Sequence, residues 1–351
     1  MKSASITATG PQGSTPRTQV LKALANQEYD REALRQALFL EGEEQAELFA
    51  LARARRQQCF PLNEVEVRSV IEISNVCTQQ CEYCGMGQTD SPKYLLSYED
   101  FLQVTAHLYA SGRRVLLLQS GENRSQAFVE HICRCVRAAK ARFADLQFIL
   151  CLGSFSKEQY HQMKAAGADR YILKFETSNA RLYKQLKPND TLPERVACLE
   201  ALLALGFKVG SGNIVGLPGQ TIDDIVDDLL WAGKFSLAMV SCSVFIPGEG
   251  SKLRESTPGD PDLTLNLLAL MRILYPERLI PTTSPFERLK KDGQFFGLMA
   301  GANTVTIHDG TPEQFKQFFP IYSGRRFTPN VEHIHTIVKR AGLKLAKGAL
   351  I

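Results

Sequence analysis

The stretch that decides the fold reads Ile71-Glu-Ile-Ser-Asn-Val-Cys-Thr-Gln-Gln-Cys-Glu-Tyr-Cys-Gly-Met-Gly87. Its start continues an apolar, β-branched run that begins at Val70 and predicts a buried strand. Cys77, Cys81 and Cys84 follow that strand, with three and then two residues between them. Three thiolates that lie so close in sequence can bind one metal centre.

The number of cysteines favours an iron–sulfur cluster over a zinc ion. A structural zinc takes four protein ligands, usually as two pairs, and the sequence has no second Cys/His pair of that spacing. Iron–sulfur clusters are normally held by four thiolates, so three imply one iron that is open to another ligand. The alternative is a structural cysteine loop or a chance grouping of thiols.

Length and composition limit the possible functions. A chain of 351 residues, 44% hydrophobic and 22% charged, is long enough for one large α/β barrel or two ordinary domains. The net charge of +4 is small, so we expect no nucleic-acid partner. No apolar run approaches the roughly 20 residues of a membrane span, so we expect no membrane association. Nine cysteines, an odd number outside any small disulfide framework, indicate a reducing cytoplasm.

The sequence divides into four segments. Residues 1–18 are rich in Ser, Thr, Gly and Pro and are interpreted as a flexible tail, not a signal peptide. Residues 19–64 have helical periodicity and predict an N-terminal helical extension. Residues 65–320 repeat a strand–helix unit, and residues 321–351 predict a C-terminal helical segment.

The repeating unit predicts the fold class. Eight strands are expected, at about 69–74, 115–119, 147–152, 171–175, 207–212, 239–245, 279–283 and 303–307. Eight strands that alternate with helices predict an α/β fold, the (β/α)8 TIM-type barrel, which runs to about 250 residues. Catalytic residues of such barrels lie where the strands end, so the residues after each strand are candidate site residues.

Strands 2 and 4 are followed by candidate ligand-binding residues. Gly121-Glu122 can offer a backbone carbonyl to an ammonium group, or it is an ordinary polar turn. Lys174 and Glu176 are two apart and point to one face of strand 4, where a barrel interior demands a partner or a ligand for each charge. A structural ion pair is the alternative. Arg195 in the next helix can grip a carboxylate through two bonds, or it lies on a solvated helix face.

Strands 5, 7 and 8 carry weaker signals. The glycines of 210–212 half-match a dinucleotide-binding fingerprint, but Pro218 and the spacing break it, so a Rossmann fold is rejected. The hydroxyls of Thr283 and Ser284 and the imidazole of His308 can bind a substrate carboxylate or relay a proton. For His308, a turn residue or helix cap is the alternative.

Five of the six remaining cysteines fall into two groups. Cys133, Cys135 and Cys198 lie in predicted helices and are interpreted as small packing residues. Cys151 on strand 3 and Cys242 on strand 6 can face the barrel interior. Together they form a candidate second metal site, although core packing is favoured for both.

These residues together resemble one branch of the radical S-adenosylmethionine (AdoMet) superfamily. That branch contains biotin synthase, methylornithine synthase and the iron-hydrogenase maturase HydE, and the maturase looks the nearest. The cysteine spacing, the aromatic Tyr83 before the last cysteine and the position after a first strand match the superfamily signature. The resemblance covers roughly residues 35–310. Its other segments are Leu118-Gln-Ser-Gly-Glu122, Ala168-Asp-Arg-Tyr-Ile-Leu with Glu176-Thr, Val215-Gly-Leu-Pro-Gly-Gln-Thr-Ile-Asp-Asp, Phe245-Ile-Pro and Ile280-Pro-Thr-Thr.

The resemblance implies a mechanism. Cys77, Cys81 and Cys84 would bind a 4Fe–4S cluster, with Tyr83 among the cofactor contacts. AdoMet would chelate the open iron, and an electron from the reduced cluster would split it into methionine and a 5′-deoxyadenosyl radical. The radical would take hydrogen from a small amino-acid-like substrate, in cofactor or amino-acid biosynthesis. The implied electron donor is a flavodoxin or ferredoxin.

The resemblance also implies residues that hold AdoMet and substrate. Gly121 and Glu122 would lie near the AdoMet amino group, and Glu176 and Arg195 would hold its polar ends. Thr283 and Ser284 fall where the maturase has two threonines in its substrate-carboxylate site. Lys174 replaces a maturase arginine, which keeps the charge but loses the bidentate fork. The candidate catalytic residues are Lys174, Thr283, Ser284 and His308.

Some positions depart from the resemblance. No cysteine follows Cys242, so the accessory C-terminal cluster of some maturases is absent. Gly210 stands where biotin synthase has a cluster-ligating cysteine. The segment after about Pro312 matches no family pattern.

Two other functions remain open. A sulfur-inserting synthase needs a sacrificial sulfur source, for which the Cys151/Cys242 pair is the one support. A non-catalytic iron–sulfur protein has no need of Glu122, Glu176 and Arg195.

Overall fold

The computed structural model describes residues 17–88, 90–319 and 329–351. Most of the predicted tail, residues 1–16, and the start of the predicted C-terminal segment, 321–328, lie outside these ranges. The predicted N-terminal extension is helical, as α1 (Arg17–Asn26), α2 (Arg31–Ala37) and α3 (Gly42–Cys59). Helix α3 packs on a helix of the barrel wall, α10 (Pro261–Leu274).

Eight parallel strands form the barrel, as the sequence predicts. They are β1 (Glu64–Ser74), β2 (Val115–Ser120), β3 (Gln147–Cys151), β4 (Arg170–Ile172), β5 (Lys208–Val215), β6 (Met239–Val244), β7 (Pro281–Thr282) and β8 (Thr304–Ile307). The hydrogen-bonded order is β6-β5-β4-β3-β2-β1-β8-β7. A single parallel bridge between Met239 and Leu279 joins the two ends of this order and nearly closes the barrel.

Helices follow the strands and form the outer layer. They are α4 (Tyr98–Ala110), α5 (Gln126–Arg142), α6 (Lys157–Ala165), α7 (Ala180–Leu186), α8 (Leu192–Ala204), α9 (Ile222–Ala232), α10, α11 (Ser284–Leu289), α12 (Gly293–Met299), α13 (Glu313–Lys316) and α14 (Val331–Arg340). Side-chain hydrogen bonds cap the N-termini of several of these helices. Ser156 and Gln159 form a reciprocal capping box at α6, and Thr221 and Asp224 form one at α9. None of the helices in the described ranges has the length and apolarity to cross a bilayer.

Strand β1 divides its side chains between two cores. Ile71 and Ile73 point outward into the large apolar layer beneath the helices. Glu66, Arg68 and Val70 belong to the other face, because side chains alternate along a strand, and Arg68 lines the cavity inside the barrel.

The C-terminal segment is more than the predicted helix. After α14 the chain forms β9 (Lys344–Leu345), which pairs with the start of β1. The last residues then close the amino-terminal end of the barrel. The Leu350 amide donates to Glu66 Oε2 at 2.9 Å, and Arg170 Nη2 donates to the Ile351 carbonyl at 2.8 Å. Sequence periodicity missed this closure, because two strand residues and a short tail carry no repeating pattern.

Candidate active site

One cavity of about 370 Å³ opens among the carboxyl ends of the strands. Its volume lies within the range of small-molecule sites, roughly 300–1,000 Å³. All twelve residues that the sequence singles out line it: Cys77, Cys81, Tyr83, Cys84, Gly121, Glu122, Lys174, Glu176, Arg195, Thr283, Ser284 and His308. The fold therefore brings together side chains that are more than 200 residues apart in the sequence.

The cysteine loop, residues 75–88, is fixed against the end of β2. The Thr78 amide donates to the Glu122 carbonyl at 2.9 Å, and the Gly121 amide donates to the Ser74 carbonyl at 3.3 Å. A Cβ on Gly121 would lie 2.5 Å from the Cys77 Cβ and 2.5 Å from the Val76 carbonyl oxygen. Glycine is required here because the two chain segments approach so closely.

The three thiols suit a cluster that binds them as thiolates. Burial raises the pKa of Cys81 and raises that of Cys84 to about 12, so both remain protonated until a metal displaces the proton. The Glu122 amide points at Cys77 Sγ at 3.4 Å, and the Met86 amide points at Cys84 Sγ at 3.5 Å. Such N–H groups stabilise the negative charge of ligating sulfur and help to set the cluster potential.

The described ranges contain no three His, Cys, Asp or Glu side chains gathered around a single ion position. A four-iron cluster takes each thiolate on a different iron, so its ligands do not need to converge on one point. The three cysteines and the amides that face their sulfurs therefore fit a 4Fe–4S cluster with one iron left for a further ligand.

Glu122 holds the site together through its carboxylate. Oε1 accepts from Gln79 Nε2 at 2.7 Å and from Arg124 Nε at 2.8 Å, and Oε2 accepts from the Ser154 amide at 2.9 Å. Arg195 Nη2 lies 3.8 Å from Oε2. The side chain thus ties the cysteine loop to the segment after β3 and to α8, and its backbone lies at the cavity wall beside the cysteines.

Glu176 has a backbone conformation that few residues adopt. Its φ of +64° lies in the left-handed region, which costs a residue other than glycine about 1–3 kcal/mol and persists only where the surrounding structure enforces it. Strand β5 supplies part of that enforcement. The Glu176 amide donates to the Gly212 carbonyl at 3.0 Å, and its carbonyl accepts from the Ile214 amide at 2.9 Å. Backbone strain of this kind concentrates at functional sites.

The Glu176 carboxylate lies between the cluster loop and Lys174. Oε1 accepts from the Tyr83 hydroxyl at 3.2 Å, and Oε2 lies 3.0 Å from Lys174 Nζ. Burial alone would raise the pKa of Glu176, but Lys174, Lys187 and Arg195 outweigh it and lower the pKa. Lys174 and Glu176 therefore form the ion pair of the structural alternative, and both also line the cavity.

Arg195 is buried, with only 3% of its surface exposed, so the solvated-face alternative is wrong. Its Nε donates to the Tyr183 hydroxyl at 2.9 Å, and Nη2 donates to Asp190 Oδ2 at 2.5 Å. The other terminal nitrogen, Nη1, has no hydrogen bond to any described residue. Since Arg195 lines the cavity, this nitrogen can donate a hydrogen bond to a bound carboxylate.

The opposite wall carries the candidate substrate contacts. Thr283 Oγ1 is buried and has no hydrogen-bond partner in the described ranges. Ser284 is the first residue of α11. His308 Nδ1 lies 3.3 Å from Glu72 Oε1, so a carboxylate orients the imidazole.

The other cysteines do not form a second metal site. Cys151 lines the cavity, where burial raises its pKa to about 11. Cys242 was also a candidate for the interior, but its Sγ donates to the Thr264 carbonyl of α10 at 3.5 Å, in the outer layer. The two thiols therefore lie on opposite sides of the barrel wall. Cys133 and Cys135 on α5 and Cys198 on α8 lie in helices, as predicted.

Among the cavity residues that the sequence did not single out, three have contacts that define their place in the site. Gln79 lies between two cysteines, and only its bond to Glu122 reveals its role. Arg68 reaches the deep part of the cavity, and its spacing of two from Glu66 on one strand was an available signal. Lys187 is buried beside Asp190 at 3.7 Å, which the sequence between two helices does not disclose.

Comparison with known proteins agrees with this geometry. A model of the radical SAM superfamily matches residues 71–232. The FeFe hydrogenase maturase subunit HydE of Thermotoga maritima is 36% identical over 311 residues, which are 88% of this chain and 88% of the relative. A biotin synthase of Gloeothece citriformis is 29% identical over 282 residues, covering 76% of this chain and 77% of the relative.

The fold is also found in a solved structure. The crystal structure of methylornithine synthase (PylB) superimposes with a TM-score of 0.79 and 24% identity, covering 93% of this chain and 97% of that one. The chain therefore belongs to the radical SAM superfamily, and it is an enzyme that binds a 4Fe–4S cluster and AdoMet.

Proposed function

We propose that this chain cleaves AdoMet and uses radical chemistry to take hydrogen from a small, amino-acid-like substrate in cofactor or amino-acid biosynthesis. The bound cluster and AdoMet supply the reductive cleavage of a carbon–sulfur bond that starts this chemistry. We further propose a flavodoxin or ferredoxin as the electron donor and the cytoplasm as the location. The similar proteins named above are a hydrogenase maturase, a biotin synthase and a methylornithine synthase, which share no single substrate.

The observation that carries the substrate class is the buried Thr283 hydroxyl. A buried hydroxyl without a partner costs free energy, so a ligand that accepts from it would bind with a gain. Lys174 places a positive charge in the same cavity, and together they suit a carboxylate. Arg195 and Glu122 belong to the wall nearer the cysteine loop, where we assign the polar groups of AdoMet.

Isotope transfer tests this proposal. The anaerobic, reduced holoenzyme is incubated with AdoMet and a panel of carbon-deuterated α-amino acids, and deuterium in 5′-deoxyadenosine is measured by mass spectrometry. We expect transfer from at least one of them. Thr283→Val keeps the shape but removes the hydroxyl, so KM for that amino acid should rise roughly 5- to 20-fold.

Thr283→Ser is the control, because it retains the hydroxyl and should keep KM close to that of the parent. AdoMet affinity should not change in either variant. Absence of transfer from the whole panel, or a Thr283→Val enzyme with an unchanged KM, would remove the support for an amino-acid substrate.

A further inference from the structure

Asp228 on α9 is a fully buried carboxylate outside the cavity, with 0% of its surface exposed. Its Oδ1 accepts from the Ser178 amide at 2.5 Å, the Ser178 hydroxyl at 2.7 Å and the Thr177 hydroxyl at 3.3 Å. Its Oδ2 accepts from Asn213 Nδ2 at 3.1 Å and Gln220 Nε2 at 3.4 Å. Within the described ranges Asp228 forms no ion pair, so hydrogen bonds alone offset the burial of its charge.

These donors belong to the loop that follows β4, to strand β5 itself and to the turn after β5. Thr177 and Ser178 come directly after Glu176, and Asn213 is the parallel bridge partner of Glu176. Gln220 organises the turn after β5, because its Oε1 accepts from the Gly216 amide at 2.8 Å. The Asp228 carboxylate, which lies outside the cavity, thus connects the chain after β4 with β5 and its following turn.

We relate this arrangement to the left-handed backbone of Glu176. Strand β5 fixes the amide and carbonyl of Glu176, but the chain that leaves it must also be held for the strained φ to persist. Asp228 holds the next two residues. The Glu176 carboxylate in turn reaches the Tyr83 hydroxyl, one residue from Cys84.

We infer that Asp228 is a positioning residue for AdoMet, which acts by holding Glu176 in the conformation that presents its carboxylate to the cofactor. This inference rests on the proposed contact between Glu176 and AdoMet, and it adds a residue that touches neither the cofactor nor the cavity. Burial raises the pKa of Asp228 to about 7, because its hydrogen bonds only partly offset the loss of water around the carboxylate.

The test is AdoMet affinity of the reconstituted holoenzyme, measured by equilibrium dialysis. Asp228→Asn keeps the volume but removes the negative charge, so the donors of Thr177 and Ser178 face a neutral and weaker acceptor. The Kd for AdoMet should rise roughly 10- to 100-fold, while iron content stays at the parent level. The AdoMet-induced change in the EPR spectrum of the reduced cluster should weaken in parallel.

The matched control is Asp227→Asn, on the same helix. The Asp227 side chain is 54% exposed and pairs with Arg31, so its loss should leave Kd unchanged. If Asp228→Asn does not fold, the variant Thr177→Val/Ser178→Ala removes two hydroxyl donors, keeps the acid and should still weaken binding severalfold.

A double-mutant cycle separates positioning from general damage. In a Glu176→Gln background, Asp228→Asn should add little further loss of affinity, because the group that it positions is already gone. Fully multiplicative losses, or a single variant with a Kd within twofold of the parent, would overturn the inference. A parent holoenzyme that binds no AdoMet would instead overturn the proposed function on which the inference depends.

Discussion

Arg195 lines the cavity and also bonds to buried side chains, so its replacement should affect both AdoMet binding and the stability of the fold. Arg195→Ala removes the guanidinium from Asp190, which keeps Lys187 at 3.7 Å, and from Glu122. Loss of a charge-assisted bond of roughly 1.5–3 kcal/mol should weaken AdoMet binding by tens of fold, as measured by equilibrium dialysis. Loss of the charge-assisted bond to Asp190 should also lower the free energy of unfolding by about 1.5–3 kcal/mol.

Arg195→Lys is the informative comparison. It keeps the charge beside Asp190 but loses the planar fork, so the fold should survive while AdoMet affinity still falls. If both variants bind AdoMet as tightly as the parent, Arg195 serves only the fold.

The separation of Cys151 from Cys242 predicts a single cluster. Cys242 bonds to α10 and Cys151 faces the cavity, so the pair cannot share a metal. Iron and sulfide analysis should give about four of each per chain. The Cys151→Ala/Cys242→Ala variant should keep them all. About six irons in the parent, with two lost in the variant, would favour sulfur insertion from a sacrificial cluster.

At the scale of elements, the cysteine loop depends on two close approaches between backbone segments, one at Gly121 and one at Gly87. A Cβ on Gly87 would lie 2.0 Å from the Gln79 carbonyl oxygen, within the same loop. Gly87→Ala should therefore open the loop and lower the iron bound per chain severalfold after anaerobic reconstitution. Gly348→Ala is the control, because no atom lies within 4 Å of the added methyl group. Equal iron in the two variants would show that the loop tolerates this change.

Sequence patterns predict some elements much better than others. The eight strands and the cysteine loop are visible because apolar runs, glycines and cysteine spacing are local signals. The strained backbone of Glu176 and the buried partners of Arg195 depend on segments far apart in the chain, so no local pattern discloses them. The exposed-face alternative for Arg195 failed for this reason.

At the scale of the whole molecule, Glu66 balances two buried arginines where the C-terminal segment closes the barrel. Its Oε1 lies 2.8 Å from Arg68 Nε and 2.9 Å from Arg170 Nη1. Glu66→Gln would leave two guanidiniums without a carboxylate, so the free energy of unfolding in urea should fall by about 3–5 kcal/mol. Asp145→Asn, which breaks the surface pair with Arg114, should cost less than about 1 kcal/mol.

The stabilisation that Glu66 contributes to the fold depends on pH, and the direction follows from the pKa of Glu66. Burial would raise the pKa of Glu66, but Arg68 and Arg170 outweigh it and lower the pKa below the ordinary 4.5. The stabilisation is therefore complete above about pH 4.5 and is lost as pH falls through the folded-state pKa. The difference in free energy of unfolding between the parent and Glu66→Gln should decrease only at acid pH. A difference that increases there would contradict the ion-pair role of Glu66.

The C-terminal closure also shows what the sequence could not provide at this scale. Residues after about Pro312 match no family pattern, yet Leu350 and Ile351 contact the charged group at the start of the barrel. Their role depends on where β9 meets β1, which follows from tertiary packing and not from any local signal.

The most direct single measurement is 5′-deoxyadenosine formed from AdoMet by the anaerobic, reduced protein, compared between the parent and Cys81→Ser. With three thiolates holding one cluster and an open iron, the parent should release methionine and 5′-deoxyadenosine in equal amounts. Cys81→Ser should form almost none and bind little iron. A Cys81→Ser protein that forms 5′-deoxyadenosine at the parent rate would contradict the assignment of this loop as the catalytic centre.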